Sequence, residues 1–159
     1  MSVKEKLAAL EMFDVGILRH GFAPHMRDYD VIVEAGGTAQ GRYRYRFTHC
    51  VEANVHSTVR DEIWQKSWDD LYTVYETSLA DGAPEGFVWG VCWSLAYPGL
   101  TYVDDSLRAS ARTKRLGKPM HEVIIETEAF ELQLVFHDVI IEKLSEDVSV
   151  IDKAIVPLD

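Results

Sequence analysis

Histidine and cysteine are the side chains of this sequence with the widest capacity for metal binding and nucleophilic chemistry. The six histidines are His20, His25, His49, His56, His121 and His137. Their spacing includes neither HExxH nor HxH, so the sequence predicts no metal site and no cofactor. Cys50 and Cys92 stand in apolar, strand-like segments without a CxxC spacing, which favours buried, reduced thiols. We therefore assign no catalytic residue, and enzymatic activity is left open.

The carboxylates and the glycine-rich segments do not supply a catalytic motif either. Adjacent acids occur as Asp69 with Asp70 and as Asp104 with Asp105, and neighbours in a helix do not share a face. Both pairs stand at predicted helix starts, where negative charge is favourable. The chain has no GxSxG and no GxGxxG pattern, which disfavours a hydrolase elbow and a dinucleotide site.

Four tryptophans form two pairs with a spacing that places each pair on one face. Trp64 and Trp68 are four residues apart in a predicted helix, and Trp89 and Trp93 are four apart in a predicted strand. A large aromatic core explains them most simply. The alternative is an aromatic pocket or interaction surface. The candidate binding residues are Trp64, Trp68, Trp89, Trp93, His49 and His137.

The segment GRYRYRFTHC contains the clearest alternation in the sequence. Tyr43, Tyr45, Phe47 and His49 fall on one face of the predicted strand, and three arginines, at positions 42, 44 and 46, fall on the other. Alternating arginine and tyrosine can bind nucleic acid by charge and stacking. In a chain of net charge −10 we expect instead that the arginines pair across the sheet with Glu131 and other acids.

The elements around this strand predict a single α+β domain over residues 1–159, an antiparallel β-sheet with an N-terminal helix and two further helices packed on it. The predicted helices are residues 3–19, with a capping box at Ser2 and Glu5 and a terminal Gly21, then a helix from Ser67 to about Leu79, and residues 105–116 capped by Asp104. A short helical turn is predicted at 60–66. The predicted strands are 31–33, 41–51, 87–93, 122–127, 130–136 and 139–144, with a turn at 35–41.

Several sequence blocks together resemble the YxiG-like family of small bacterial proteins. They are HGFAPHMRDYDVIVE, GRYRYRFTHC, SWDDLYTVYE, GFVWGVCW, KPMHEVIIET and LVFHDVIIEKL, and they cover nearly the whole chain after the first helix. The family has no established activity and no accepted catalytic residues, so no residue role is carried over. The resemblance implies a binding role more than an enzyme, in association with bacterial toxin and immunity regions.

Composition and charge restrict the partners of this protein. With 26 acidic and 16 basic residues, the chain would be repelled by nucleic acid and by an anionic membrane. The first 20 residues do not form a signal peptide, and no apolar run reaches membrane-spanning length, so we expect a cytoplasmic protein.

Two functions remain open. One hypothesis is a non-catalytic, immunity-like protein that masks a basic protein partner; the alternative is a small-molecule-binding or enzymatic domain with an aromatic and histidine-lined pocket. A homo-oligomer that uses the tryptophan face is a third option.

Overall fold

Nine antiparallel strands in two sheets make up about half of the part of the chain that the computed structural model describes, residues 1–66 and 94–145. The helices are α1 (Val3–Ala9), α2 (Asp61–Lys66) and α3 (Leu107–Leu116). The strands are β1 (Val15–Phe22), β2 (Tyr29–Ala35), β3 (Gly41–Thr48), β4 (Glu52–Ser57), β5 (Ser94–Ala96), β6 (Gly99–Tyr102), β7 (His121–Glu126), β8 (Phe130–Phe136) and β9 (Asp138–Leu144). The first sheet has the order β5-β1-β2-β3-β9, and the second has the order β4-β8-β7-β6.

The core lies between the two sheets, so the α+β class is correct and the prediction of one sheet is wrong. Alternate residues of β2, β3, β7 and β8 are buried in a common hydrophobic cluster. Phe47 of the first sheet meets Phe136 of the second edge to face, with ring centroids 4.7 Å apart. Helix α1 adds Val3 and Leu7 to this cluster. The result is an α+β protein in which one face of each sheet is buried against the other sheet.

Helix α3 lies on the outer side of the second sheet, where Ala109 packs with Met120 and Val135. Its N-cap is Ser106, whose hydroxyl accepts the backbone N–H of Ala109 at 2.9 Å and donates to buried Glu122. The predicted cap, Asp104, pairs instead with Lys4 at 2.8 Å. Gly117 ends the helix in the left-handed conformation, as expected for a C-terminal glycine.

The prediction of a helix over residues 3–19 is wrong beyond Ala9. The capping box of Ser2 and Glu5 is present, but the helix ends there and residues 15–22 form a strand. Gly16 and Ile17 pair with both β2 and β5, and Val15 pairs with β5. Val15 and Ile17 are buried at a spacing of two, and Gly21 lies inside the strand. Pairing on both sides outweighs the weak helical periodicity, because tertiary context overrides local propensity.

The predicted strands 122–127, 130–136 and 139–144 are confirmed within one residue and 31–33 within two, whereas the predicted strand 41–51 ends at Thr48. The central strand pairs with β2 from Tyr29 opposite Phe47 to Ala35 opposite Gly41, as the predicted hairpin requires. The short helical turn at 60–66 appears as α2. The predicted helix from Ser67 and the predicted strand 87–93 lie outside the described residues.

The chain changes from one sheet to the other at two neighbouring corners. Residues 49–51 connect β3 to β4, and His137 connects β8 to β9. A backbone hydrogen bond of 2.9 Å from the His137 N–H to the Thr48 carbonyl holds the corners side by side.

Candidate functional site

Four arginines lie on the outer face of the first sheet, which we call the arginine face; they are Arg19, Arg42, Arg44 and Arg46. The strand registers set their order. One cross-strand row contains Gly21, Asp30, Arg46 and Ile140, and the next contains Arg19, Ile32, Arg44 and Glu142. Because adjacent strands place paired residues on the same side, two arginines flank Ile32 in the second row.

The arginines of β3 pair with carboxylates on both neighbouring strands. Arg46 donates from Nε and Nη2 to the two oxygens of Asp30, each at 2.8 Å. Arg44 donates to Glu142 of β9, with an Nε–Oε1 distance of 2.8 Å. Arg42 lies 3.5 Å from Glu34. The expected cross-strand pairing is therefore present, but Glu131 is not part of it because it lies in the other sheet, 3.5 Å from His56.

A groove of about 330 Å³ opens on this face at the end of β1. Arg19, Arg44, Arg46 and Asp30 supply its charged groups, and residues 20–24 with Ile32 complete its walls. Two of these guanidinium groups already pair with carboxylates, Arg46 with Asp30 and Arg44 with Glu142. Guanidinium forks bind planar or tetrahedral oxygen anions by paired hydrogen bonds, so this groove has the chemistry of an anion site.

His20 borders the groove, and its ring is held on the inner side of the sheet. Its Nδ1 lies 2.7 Å from the Tyr29 hydroxyl, and its ring packs on Phe130 with centroids 4.6 Å apart. Burial lowers the pKa of His20 below its usual value, since the charged form would lose solvation. The neighbouring Phe22 meets Tyr29 edge to face at 5.0 Å and remains 36% exposed. His20 and Phe22 pair with the buried residues Val31 and Tyr29, so both rings lie on the inner side of the sheet, opposite the arginine face.

The loop that ends the groove, residues 23–28, is fastened by buried Asp28. The Asp28 carbonyl accepts the Ala23 N–H at 2.8 Å. The carboxylate accepts Nε and Nη2 of Arg27 at 2.9 and 3.1 Å, and it accepts the backbone N–H of His49 at 3.0 Å. The Arg27 guanidinium is the main reason that the pKa of Asp28 falls to about 2. Asp28 therefore joins this loop to the corner after β3.

Two of the predicted binding residues, His49 and His137, come together at the paired corners. Their rings meet edge to face with centroids 5.8 Å apart. His137 shares a hydrogen bond of 2.7 Å between its Nδ1 and the Pro119 carbonyl. The prediction that His49 lies on the core face of the strand is wrong, because β3 ends at Thr48 and His49 has a φ of 46°. Within the described residues, the Nδ1 of His49 is the buried side-chain polar atom without a hydrogen-bond partner.

Of the four tryptophans, the structure describes Trp64. Trp64 is 40% exposed on α2, whereas Trp68, Trp89 and Trp93 fall outside the described residues. The predicted aromatic and histidine pocket therefore remains a prediction. Sequence reasoning missed Arg19 because it assigned that segment to a helix, although the arginines of β3 were identified on one face.

Neither a metal cluster nor a membrane span is found in the described parts of the chain. Residues 1–66 and 94–145 contain no group of three or more histidine, cysteine, aspartate and glutamate side chains that could hold a metal ion. None of the helices there is long and apolar enough to cross a membrane. Cys50 is buried and its thiol donates to the Glu52 carbonyl, and burial raises its pKa to about 12.

The fold and the groove define an α+β protein of two packed antiparallel sheets with a cationic groove on one outer face. The family model described as YxiG-like protein matches residues 2–153 of the sequence. The chain therefore belongs to the YxiG-like protein family, as the sequence blocks indicated. A search of the curated proteins finds no match to this chain.

Proposed function

We propose that this protein is a non-catalytic, cytoplasmic binding protein that holds a ligand with a phosphate or carboxylate group in the groove of the arginine face. The observation that carries the proposal is the convergence of three arginines, from two strands, on a groove that one carboxylate lines. Hydrogen bonds between guanidinium and oxygen anions are among the strongest that side chains form, at about 1.5–3 kcal/mol each.

The distribution of charge along the chain supports a local cationic site in an acidic protein. The described residues carry 15 of the 16 basic residues but only 17 of the 26 acidic ones. The described body is thus close to electrically neutral, and most of the net charge of −10 belongs to residues 67–93 and 146–159. An anionic ligand at the arginine face therefore meets a less negative electrostatic potential than the net charge of the whole chain suggests.

The groove supports binding more than catalysis because its lining has few reactive groups. Serine, threonine, cysteine and lysine are not among the lining residues of the groove. His20 is engaged by the Tyr29 hydroxyl, and Asp30 is engaged by both nitrogen donors of Arg46. A general base needs a free lone pair within reach of the substrate proton. The Nδ1 of His20 and both oxygens of Asp30 are thus engaged by the protein itself.

The test is isothermal titration of the full chain with inorganic phosphate and with acetate at low ionic strength. Arg44→Gln, and the double variant of Arg19→Gln with Arg44→Gln, should weaken binding by about tenfold or more, since each loses a charge-assisted bond. Arg115→Gln is the matched control, because Arg115 is exposed on α3 against the other sheet. Binding of neither anion to the wild type, or equal binding by the double variant, would refute the proposal.

Masking of a basic protein is the second candidate function, and the acidic stretches 67–93 and 146–159 favour it. These stretches contain nine acidic residues and one basic residue. A pull-down of the tagged chain at two salt concentrations separates the two candidates. A stoichiometric basic protein that is lost at high salt supports masking, because salt screens exposed charges. Retention of that partner by the chain truncated after Ser145 would remove residues 146–159 from the explanation.

A further inference from the structure

We infer that the junction between the two sheets opens locally when His49 takes up a proton, so that mildly acidic pH releases the loop of residues 23–28 at the end of the groove. The junction consists of the two neighbouring corners, residues 49–51 between β3 and β4 and His137 between β8 and β9. The opening concerns this loop and these corners, and it does not depend on a ligand in the groove.

The ring of His49 has no acceptor for a second proton in the folded protein. A neutral imidazole has one N–H donor, and protonation makes both of its nitrogens donors. The Nδ1 of His49 is buried and has no hydrogen-bond partner among the described residues. A buried donor without an acceptor is unfavourable, and it is more so when the group is charged. The closed junction therefore favours the neutral ring.

The charged groups around this ring also oppose its protonation. Burial is the main reason that the pKa of His49 lies below its usual value, and the cations Lys118 and Arg27 lower this pKa further. Asp28 raises it, but that carboxylate already pairs with Arg27. His137 lowers it, and the two rings meet edge to face with centroids 5.8 Å apart. Because the pKa is lower in the closed junction, opening becomes more favourable as the pH falls below about 6.5.

The other two histidines near the junction have acceptors for the proton on Nδ1. Burial also lowers the pKa of His121, but its Nδ1 lies 2.8 Å from the Tyr102 hydroxyl, whose oxygen can accept an N–H. The Nδ1 of His137 lies 2.7 Å from the Pro119 carbonyl, which can only accept. Among these three rings of the described chain, His49 is therefore the one that protonation would leave with an unpaired buried donor.

Two backbone hydrogen bonds couple the His49 corner to the loop of residues 23–28. The His49 N–H donates to the Asp28 carboxylate at 3.0 Å, and the Cys50 N–H donates to the Arg27 carbonyl at 2.8 Å. The Asp28 carbonyl in turn accepts the Ala23 N–H at 2.8 Å, and Ala23 lines the groove. Movement of the corner breaks the first two bonds, so mild acid should loosen the loop before the protein unfolds as a whole.

Amide hydrogen exchange of the full chain, followed by NMR at pH 7.5 and pH 5.5, tests the inference. The reporters are the N–H groups of Ala23, His49 and Cys50, and the reference is the N–H of Leu100, which donates to the Met12 carbonyl at 2.9 Å. After correction for the intrinsic pH dependence of exchange, the protection of the reporters should fall about threefold or more. The upper limit is about tenfold, reached when the closed ring takes up no proton. Leu100 should lose less protection than any of the three reporters.

His49→Asn is the decisive variant, because asparagine does not titrate and tolerates the φ of 46° at this position. Its reporters should show the same protection at both pH values. His56→Asn is the matched control, since His56 is exposed on β4, and it should keep the pH difference of the wild type. If His49→Asn does not fold, an NMR titration of the His49 ring in the wild type takes its place. The ring should then gain its charge over the same pH range in which the reporters lose protection.

Equal protection of the reporters at the two pH values would overturn the inference, and so would an unchanged pH difference in His49→Asn. A His49 ring that becomes charged while the reporters keep their protection would overturn it as well. An equal loss of protection at Leu100 would show unfolding of the whole protein and would refute a local opening. None of these results requires an anion in the groove, so the proposed function is tested separately.

Discussion

Replacing Asp28 by asparagine should lower the free energy of unfolding and should make that free energy depend less on pH. Asp28 is only 3% exposed, and its carboxylate accepts three hydrogen bonds, two from Arg27 and one from the His49 backbone. Asparagine keeps the shape and one acceptor oxygen. It places an N–H₂ donor where Arg27 also donates, and it removes the negative charge that this guanidinium faces.

The magnitude follows from the pKa of Asp28, which falls from a usual value of 3.8 to about 2. Each unit of pKa difference between the folded and unfolded states is worth about 1.4 kcal/mol, so the ionised carboxylate contributes about 2 kcal/mol to the free energy of unfolding at neutral pH. Because the folded-state pKa is the lower one, this contribution is complete above about pH 4. It decreases as the pH falls and is lost near pH 2.

Urea unfolding of the wild type and of Asp28→Asn at pH 7, 5, 3.5 and 2.5 measures this contribution. The difference in free energy of unfolding should be about 2 kcal/mol at pH 7 and should shrink between pH 4 and pH 2. Asp105→Asn is the control, because Asp105 is exposed and its φ of 53° is one that asparagine tolerates. A difference that stays constant down to pH 2.5 would show that the charge of Asp28 is not what stabilises this loop.

Two further outcomes are expected away from the groove. Gly99→Ala should lower the free energy of unfolding by more than about 2 kcal/mol, since its Cβ would lie 2.0 Å from the Met12 carbonyl oxygen and φ is +91°. Gly36→Ala is the control, because a Cβ there has open space around it. Equal urea midpoints for the two variants would contradict the reasoning. The Cys50 thiol should resist iodoacetamide at pH 8 in the native protein and react in urea, because burial raises its pKa to about 12. Peptide mass spectrometry measures the labelled fraction of Cys50. Rapid labelling of Cys50 in the native protein would disprove the expectation.

The parts of the fold that were predictable from the sequence are those set by short-range alternation. Tyr45 and Phe47 are buried, whereas Arg44 and Arg46, which alternate with them, are only partly buried, as the alternation of β3 indicates. The hairpin to β2 follows from a glycine-rich turn between two such strands. These features need only the geometry of a strand and the preference of apolar side chains for the core.

The division into two sheets could not be read from the sequence, because it depends on where the chain changes partner. Strands β3 and β4 are separated by only three residues, and β8 and β9 by His137 alone. Such short connections are typical of a continuous bent strand or a hairpin as much as of a corner between sheets. The contact between His49 and His137 is a consequence of these corners, so candidate residues chosen separately came together for a reason that the sequence did not contain.

The candidate site depends on the same kind of long-range information. Arg19 faces the groove only because residues 15–22 are a strand that pairs with β2, and this pairing places Arg19 opposite Ile32, with Arg44 on the far side. A helix over the same residues would have separated Arg19 from β3. The sequence shows that arginines alternate along β3 on one face of the sheet. Their convergence with Arg19 on one groove is visible only in the register of three strands.

This register also offers a way to separate a binding role of the arginine face from a purely structural one. Cross-strand ion pairs such as Arg44 with Glu142 contribute only about 0.2–1 kcal/mol to stability, since both side chains remain partly solvated. If the arginines served only to cover the sheet, Arg44→Gln would change neither stability nor anion binding appreciably. If they hold an anion, the same substitution changes stability by less than about 1 kcal/mol but weakens binding by about tenfold. The ratio of the two effects therefore distinguishes a ligand site from a solvated surface.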